Sequence, residues 1–380
     1  MFFITRNRVH LYWLLIITLS IAAAISVIQG GMNAIEFSQD SMWPRIKAFM
    51  SGINPYDKSE LAKFYDALGY DDHFGLGVHY FPSVLYLMSP IAIIDNILLS
   101  KWILYILSIF STIIIFVFTQ QIFDFKKTKQ ELIILILLFL IGVPFRNTLG
   151  VGQNGIIAVA FLMASIRYNN RPIISGFFYA LSLIKYTLTG VFILLFLKNR
   201  NFKSIFVAFL IHLVLHFVAM RNLELSFIDL IVLPLQSSNN LVSAGFGDYL
   251  SNFNNELLGL SFSIFTLLTS AVVILFGRLK DQEMINILSI VTLLVVYHRL
   301  YDYFILILAL PTFIKTSQNY LFIVKKYSFY VLIVYFFIIT RLLLPFGIES
   351  ILELVSMLLL IGYLSIIMLT AKNDKYEMKV

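Results

Sequence analysis

The sequence predicts an all-α, polytopic bundle of transmembrane helices, and three observations predict it. Of 380 residues, 59% are hydrophobic and 13% charged, with a mean hydropathy of +0.88. A soluble domain carries roughly 45–50% apolar and about 25% charged residues. Runs such as 132–142 and 351–369 are almost continuously apolar and lack the alternation of a membrane β-strand. Backbone groups in lipid are satisfied only within a helix or a closed barrel, so the spans are helices. Cysteine is absent, which removes disulfides, thiol catalysis and cysteine metal sites. The net charge of +7 does not imply nucleic acid. Basic residues of membrane proteins collect in cytoplasmic loops, and no basic stripe with interleaved aromatics is present.

Taken in order, the first span covers 9–29, with Arg6 and Arg8 holding the N-terminus inside as a retained span. Residues 30–79 then form a large extracytoplasmic loop. Within it, Met42, Ile46, Phe49 and Met50 share one face at helical spacing and Arg45 and Lys47 the other, which predicts a short interfacial helix with Pro44 in its first turn. Residues 80–95 read as a short re-entrant or interfacial helix, because that keeps Lys126, Lys127 and Lys129 inside after the span that ends at Phe123. Segments 131–143 and 153–168 follow, joined by an outside turn from Pro144 to Gly152. Residues 172–198 predict a helical hairpin with its tip at 185–190, since one tilted helix would bury Lys185 near mid-membrane. After a span at 202–220, residues 221–258 form a second extracytoplasmic loop. Segments 259–277, 284–297, a short return helix to Lys315, 327–344 and 349–371 complete the chain. The expectation is about 12 crossings in one membrane domain, 1–380, multi-pass in the cell membrane, with both termini cytoplasmic.

On this map the uncommon polar groups face one side: Asp40 in the first loop, Gln153 and Asn154 at a helix start, Lys185 at the hairpin tip, and His298 with Arg299 at another tip. Ionisable residues at membrane depth point to function. One carboxylate opposed by cations and amides suits phosphate-linked group transfer, with the carboxylate taking a proton from an acceptor hydroxyl and the cations stabilising a phosphate leaving group.

Several stretches carry a resemblance. They are Asp40 followed by Gly52-Ile53-Asn54-Pro55-Tyr56; Tyr80-Phe81-Pro82 with Ser89-Pro90 at its far end; Gly152-Gln153-Asn154; Ile184-Lys185; and His298 ahead of Tyr301-Asp302. In this order, over about 10–315, the chain resembles the polyprenyl-phosphate-dependent integral membrane glycosyltransferases of family 87. Ser83 replaces a second proline, and no proline follows Lys185. The resemblance implies a GT-C-like fold and a mannosyl transfer from a polyprenyl-phosphate sugar to a lipid or glycan acceptor. It implies Asp40 as base of an inverting attack, and Lys185, His298 and Arg299 at the donor phosphate. Gln153, Asn154, Tyr80 and Trp43 would contact substrate. The implied partners are donor, acceptor and membrane lipids. No cofactor is called for, and a divalent-ion requirement stays open.

Each residue also has a plainer reading. Asp40 would cap the helix that follows it, and Lys185 would snorkel to the interface. Asp302 would pair with Arg299. Asp71-Asp72-His73 reads as a solvated acidic loop rather than a metal cluster, and His212 with His216, four apart on one helix, as packing. Gly152 and Gly155 would allow close helix approach. A transporter or flippase for lipid-linked glycans is the alternative, and a glycan polymerase or ligase a third. No internal repeat supports a transporter.

Overall fold

The computed structural model describes residues 2–38, 42–69, 80–123, 129–239, 256–296, 300–309, 320–343 and 349–373. Among them every regular element is a helix and none is a strand. In chain order they are α1 (Phe2–Glu36), α2 (Trp43–Met50), α3 (Lys58–Ala67), α4 (Pro82–Met88), α5 (Ile97–Phe123), α6 (Lys129–Ile141), α7 (Val143–Gly150) and α8 (Gly155–Arg167). Then come α9 (Pro172–Ser182), α10 (Tyr186–Thr189), α11 (Ile193–Lys198), α12 (Phe202–Leu223), α13 (Asp229–Asn239), α14 (Glu256–Phe276) and α15 (Asp281–Val295). A 3-10 helix at Leu300–Ala309 precedes α16 (Tyr320–Val334), a π-helical turn at Tyr335–Ile339, α17 (Thr340–Leu343) and α18 (Glu349–Asn373).

Five stretches among the described residues are long and apolar enough to cross a membrane: 12–36, 97–122, 172–198, 202–223 and 258–276. A sixth appears only if α7 and α8 are counted as one bent span. These helices carry rows of exposed Leu, Ile, Phe and Val, the surface a lipid solvent requires. Among the described residues these five or six stand in place of the expected count of about 12. Helices α6 and α8, with 13 residues each, reach about 20 Å against about 30 Å of hydrocarbon.

The chain divides into two compact units, one made of 1–32, 119–149 and 244–380, the other of 33–118 and 150–243. At the centre of the first lie α15, buried from Met284 to Leu294, and the 3-10 helix, buried from Asp302 to Ala309. Thr148 of α7 donates its hydroxyl to the Tyr301 carbonyl at 2.7 Å. Asn286 of α15 donates to the Tyr363 hydroxyl of α18 at 3.2 Å, a polar tie inside an apolar core.

The second unit is stitched by small polar side chains, the membrane device for joining helices where the hydrophobic effect gives little drive. Ser165 of α8 donates to the Ser175 carbonyl of α9 at 2.7 Å, and Ser175 returns a bond to the Ser165 carbonyl at 3.0 Å. Ser204 of α12 reaches the Pro172 carbonyl at 2.9 Å. Helix α12 crosses α9 so closely that a Cβ on Gly176 would sit 2.6 Å from the Ser204 carbonyl oxygen and 2.7 Å from Val207 Cβ.

Residues 172–198 fold back on themselves. A straight helix of this length would hold its ends about 40 Å apart. Instead Asn201 donates its side-chain amide to the Asn169 carbonyl at 3.1 Å, and the rings of Tyr179 and Phe196 lie 4.7 Å apart. By length this stretch passes for one span, but its contacts make it a hairpin with 3-10 turns at 183–185 and 190–192. Residues 82–91 are a single short buried helix that ends in a 3-10 turn, as the charge map requires.

Three expectations are corrected. The outside turn 144–152 contains helix α7, whose Pro144 occupies its first turn, where a missing N–H costs nothing. The second loop contains α13, opened by a capping box in which Ser226 and Asp229 exchange side-chain and backbone bonds. The helix after Met42 forms with Pro44 in its first turn, but six of its eight residues are buried, Arg45 among them, while Met50 is exposed. It packs into the unit's core against α4 rather than presenting a charged face.

Candidate functional site

The second unit gathers most of the described polar candidates around breaks between helices. Gly52-Ile53-Asn54-Pro55-Tyr56 forms the stop signal of α2 and the start of α3. Gly52 takes the left-handed conformation (φ +78°), with Gly52 N–H bonding the Phe49 carbonyl and Ile53 N–H the Ala48 carbonyl, a Schellman closure. The Asn54 side chain accepts from Tyr56 N–H at 3.0 Å, and Asp57 caps α3 through Ser59 and Glu60. These bonds, the Ser59 hydroxyl first, hold the Asp57 carboxyl below its usual range.

Tyr56 then points inward. Its hydroxyl donates to the Tyr80 carbonyl at 2.8 Å, and burial, with Tyr186 nearby, pushes its phenol well above the ordinary range. Tyr80 precedes Phe81, which holds the extended backbone that a residue before proline adopts, and Pro82 starts α4. Ser83, where the resemblance expects a second proline, accounts for itself: its hydroxyl bonds His212 Nδ1 at 2.8 Å. His212 Nε2 meets the Ala180 carbonyl at 3.0 Å, and a carbonyl only accepts, so Nε2 carries the proton and Nδ1 takes Ser83's. His212 therefore ties α4, α9 and α12 together as a structural residue.

Lys185 lies where the hairpin changes from 3-10 to α-helix, and it is buried. Its ammonium donates to Gln153 Oε1 at 2.8 Å. Next to Gln153, Asn154 donates to the Ile184 carbonyl at 3.1 Å, while its own Oδ1 is buried without a partner. Gln153 and Asn154 thus grip residues 184 and 185 of the hairpin tip together. The gripping acceptor is a neutral amide, so that bond orients the ammonium without cancelling its charge.

Leu183 and Tyr186, on either side of this pair, line a cavity of about 380 Å3 with Phe81, Val84, His212 and His216. The volume falls at the low end of small-ligand sites. Phe209, more than half exposed on the apolar face of α12, stands at its rim, so the cavity opens towards lipid.

The structure thus brings together Gln153, Asn154 and Lys185, with Tyr80 near Tyr186, the residue after Lys185. Trp43 is in the same unit but sits in the core, with its indole N–H donating to the Ile94 carbonyl at 2.9 Å. Asp40, His298 and Arg299 lie outside the described residues, as do Asp71, Asp72 and His73. The cap position of α2 belongs to Met42, which makes no side-chain bond there. No group of three metal-ligating side chains occurs among the described residues. Sequence reasoning missed Ser83 and Tyr56, whose contacts come from distant segments and leave no local signal.

Long apolar helices around a buried lysine and amide pair define a membrane protein with a polar site in its interior. The model of glycosyltransferase family 87 matches residues 79–302, more than half of the chain. The chain belongs to that family: it is a membrane glycosyltransferase, with a sugar donor and an acceptor. The match takes in Tyr80, Gln153, Asn154, Lys185, His298, Arg299 and Asp302, and begins after Asp40 and Trp43. No curated protein and no solved structure matches the chain.

Proposed function

We propose that the protein transfers a hexose, mannose on the motif resemblance, from a polyprenyl-phosphate sugar to a lipid or glycan acceptor on the extracytoplasmic side of the cell membrane. Asp40 takes the proton of the acceptor hydroxyl as its oxygen attacks the anomeric carbon. The bond from that carbon to the phosphate oxygen breaks, polyprenyl phosphate leaves, and the configuration inverts. The Lys185 ammonium stabilises the charge that grows on the departing phosphate. Gln153 holds Lys185 in line, Asn154 and Tyr80 shape the space beside it, and the first units of the polyprenyl chain occupy the apolar cavity.

The observation that carries this reading is the buried Lys185–Gln153 bond, made in the turn whose residues Leu183 and Tyr186 line an apolar cavity. Burying an ammonium is expensive, and ionisable side chains at membrane depth point to function. Incubating membranes that contain the protein with labelled polyprenyl-phosphate mannose or with a labelled nucleotide-mannose tests the donor. Label should pass to the acceptor fraction from the lipid donor alone, and transfer from the nucleotide sugar instead would overturn the proposal.

A further inference from the structure

The segment that leaves α1 meets the turn that carries Gln153 at one unusually tight point. Helix α1 ends with Phe37 and Ser38 N–H groups both on the Asn33 carbonyl, at 2.9 and 3.1 Å, and Lys101 of α5 holds the Ile35 carbonyl at 3.1 Å. Ser38 takes a positive φ of +23° at the position just past a helix end where glycine is usual. It is 3% exposed, and its hydroxyl is buried with no hydrogen-bond partner. Against it lies Gly152, itself at φ +72°. A Cβ on Gly152 would stand 3.2 Å from Ser38 Cβ and 3.9 Å from a Leu104 methyl. A serine at positive φ and an unsatisfied buried hydroxyl are each costly, and they persist only where the surroundings enforce them, whereas Gly152 adopts its left-handed backbone freely.

We propose that Ser38 and Gly152 are positioning residues for Lys185: their contact fixes the turn from which Gln153 reaches the ammonium. The chain of contacts is short. Ser38 packs on Gly152, Gln153 is the next residue, and its Oε1 receives Lys185 Nζ at 2.8 Å. A side chain at 152 pushes the turn away from Ser38 and carries the amide off the ammonium. A misplacement of about 1 Å can cost as much as 10²-fold in rate. This inference rests on the donor-phosphate role proposed for Lys185.

The test uses full-length protein in membranes, polyprenyl-phosphate mannose as donor, and five variants beside wild type: Gly152→Ala, Ser38→Gly, Lys185→Ala, and Gly152→Ala combined with either Ser38→Gly or Ser38→Ala. Gly152→Ala is expected to lower kcat/KM for the donor about tenfold or more, with a larger fall than its detergent melting temperature accounts for. Removing the opposing Cβ with Ser38→Gly restores the part of that loss due to the contact, while the part due to a Cβ at positive φ remains. Ser38→Ala, which keeps the Cβ, does not. If Gly152→Ala fails to accumulate, the same contrast is read in the yield of the two double variants. Wild-type kinetics in Gly152→Ala, or equal defects in the two doubles, would overturn the positioning role. Transfer that survives in Gly152→Ala but is lost in Lys185→Ala removes the positioning role alone. Use of a nucleotide donor instead removes the proposed function, and the rescue pattern is then read with that donor.

Discussion

Lys185 and Gln153 are the pair on which the residue scale turns. Replacing Lys185 with Met keeps the length and apolar stem but strips Gln153 Oε1 of its donor, a loss of about 1–3 kcal/mol for a buried acceptor. Membranes with Lys185→Met should transfer from the lipid donor at least about tenfold more slowly, and a wild-type rate would deny the phosphate role. Asp57 tests a purely structural bond. Its carboxyl is held low by the Ser59 hydroxyl and the Glu60 N–H, so the cap contributes stability above the unfolded carboxyl value near pH 4 and loses it as pH falls through the lower folded value. The melting temperature of Asp57→Ala should lie below wild type at pH 7, and the gap should close in acid. A gap constant with pH would remove the cap from the account. At this scale sequence exposed Lys185, Gln153 and Asn154, because a charge or amide inside an apolar run stands out. It did not expose the burial of Arg45, since helical spacing puts it opposite Met42 and Ile46 and says nothing of what packs around that face.

Among elements, the hairpin 172–198 and its crossing with α12 position everything that bears on Lys185. The hairpin was legible because a single lysine mid-run argues against a straight span. Helices α7 and α13 were overlooked despite local signals: Pro144 suits a first helical turn, and Ser226-Phe227-Ile228-Asp229 is a capping box ahead of an apolar run. Polarity of the surrounding segment outweighed both. The α9–α12 crossing depends on Gly176, where a methyl would overlap the Ser204 carbonyl. Gly176→Ala should cost about 1–3 kcal/mol through overpacking, read as a lower melting temperature in detergent. An unchanged melting temperature would mean the two helices separate freely. Because the chain has no cysteine, single cysteines are clean probes of the fold-back. Cysteines at 170 and 200 should react with an impermeant reagent from the same side of the membrane, whereas a straight span puts them on opposite sides.

Over the whole chain, the described residues combine five long apolar helical stretches with shorter and broken helices. Composition and hydropathy made the membrane class plain, but a count of about 12 crossings took short apolar runs such as 131–143 and 153–168 as crossings. Helices α6 and α8 are too short for that, and breaks at 150–155 and 183–192 are where polar side chains collect. Such breaks are expensive in lipid unless the freed backbone is satisfied within the protein, and here Asn154, Thr189 and Tyr179 bond main-chain carbonyls of Ile184, Ser182 and Gly190. The proposed orientation is checked by a reporter fused after Lys127, which should read cytoplasmic. The central claim, that this family-87 chain moves a sugar from a lipid phosphate with Asp40 as base, is tested most directly by one comparison. Membranes holding equal amounts of wild-type and Asp40→Asn protein are given polyprenyl-phosphate mannose and assayed for labelled product. The account predicts that Asp40→Asn accumulates normally and transfers nothing measurable, whereas transfer at the wild-type rate would contradict it.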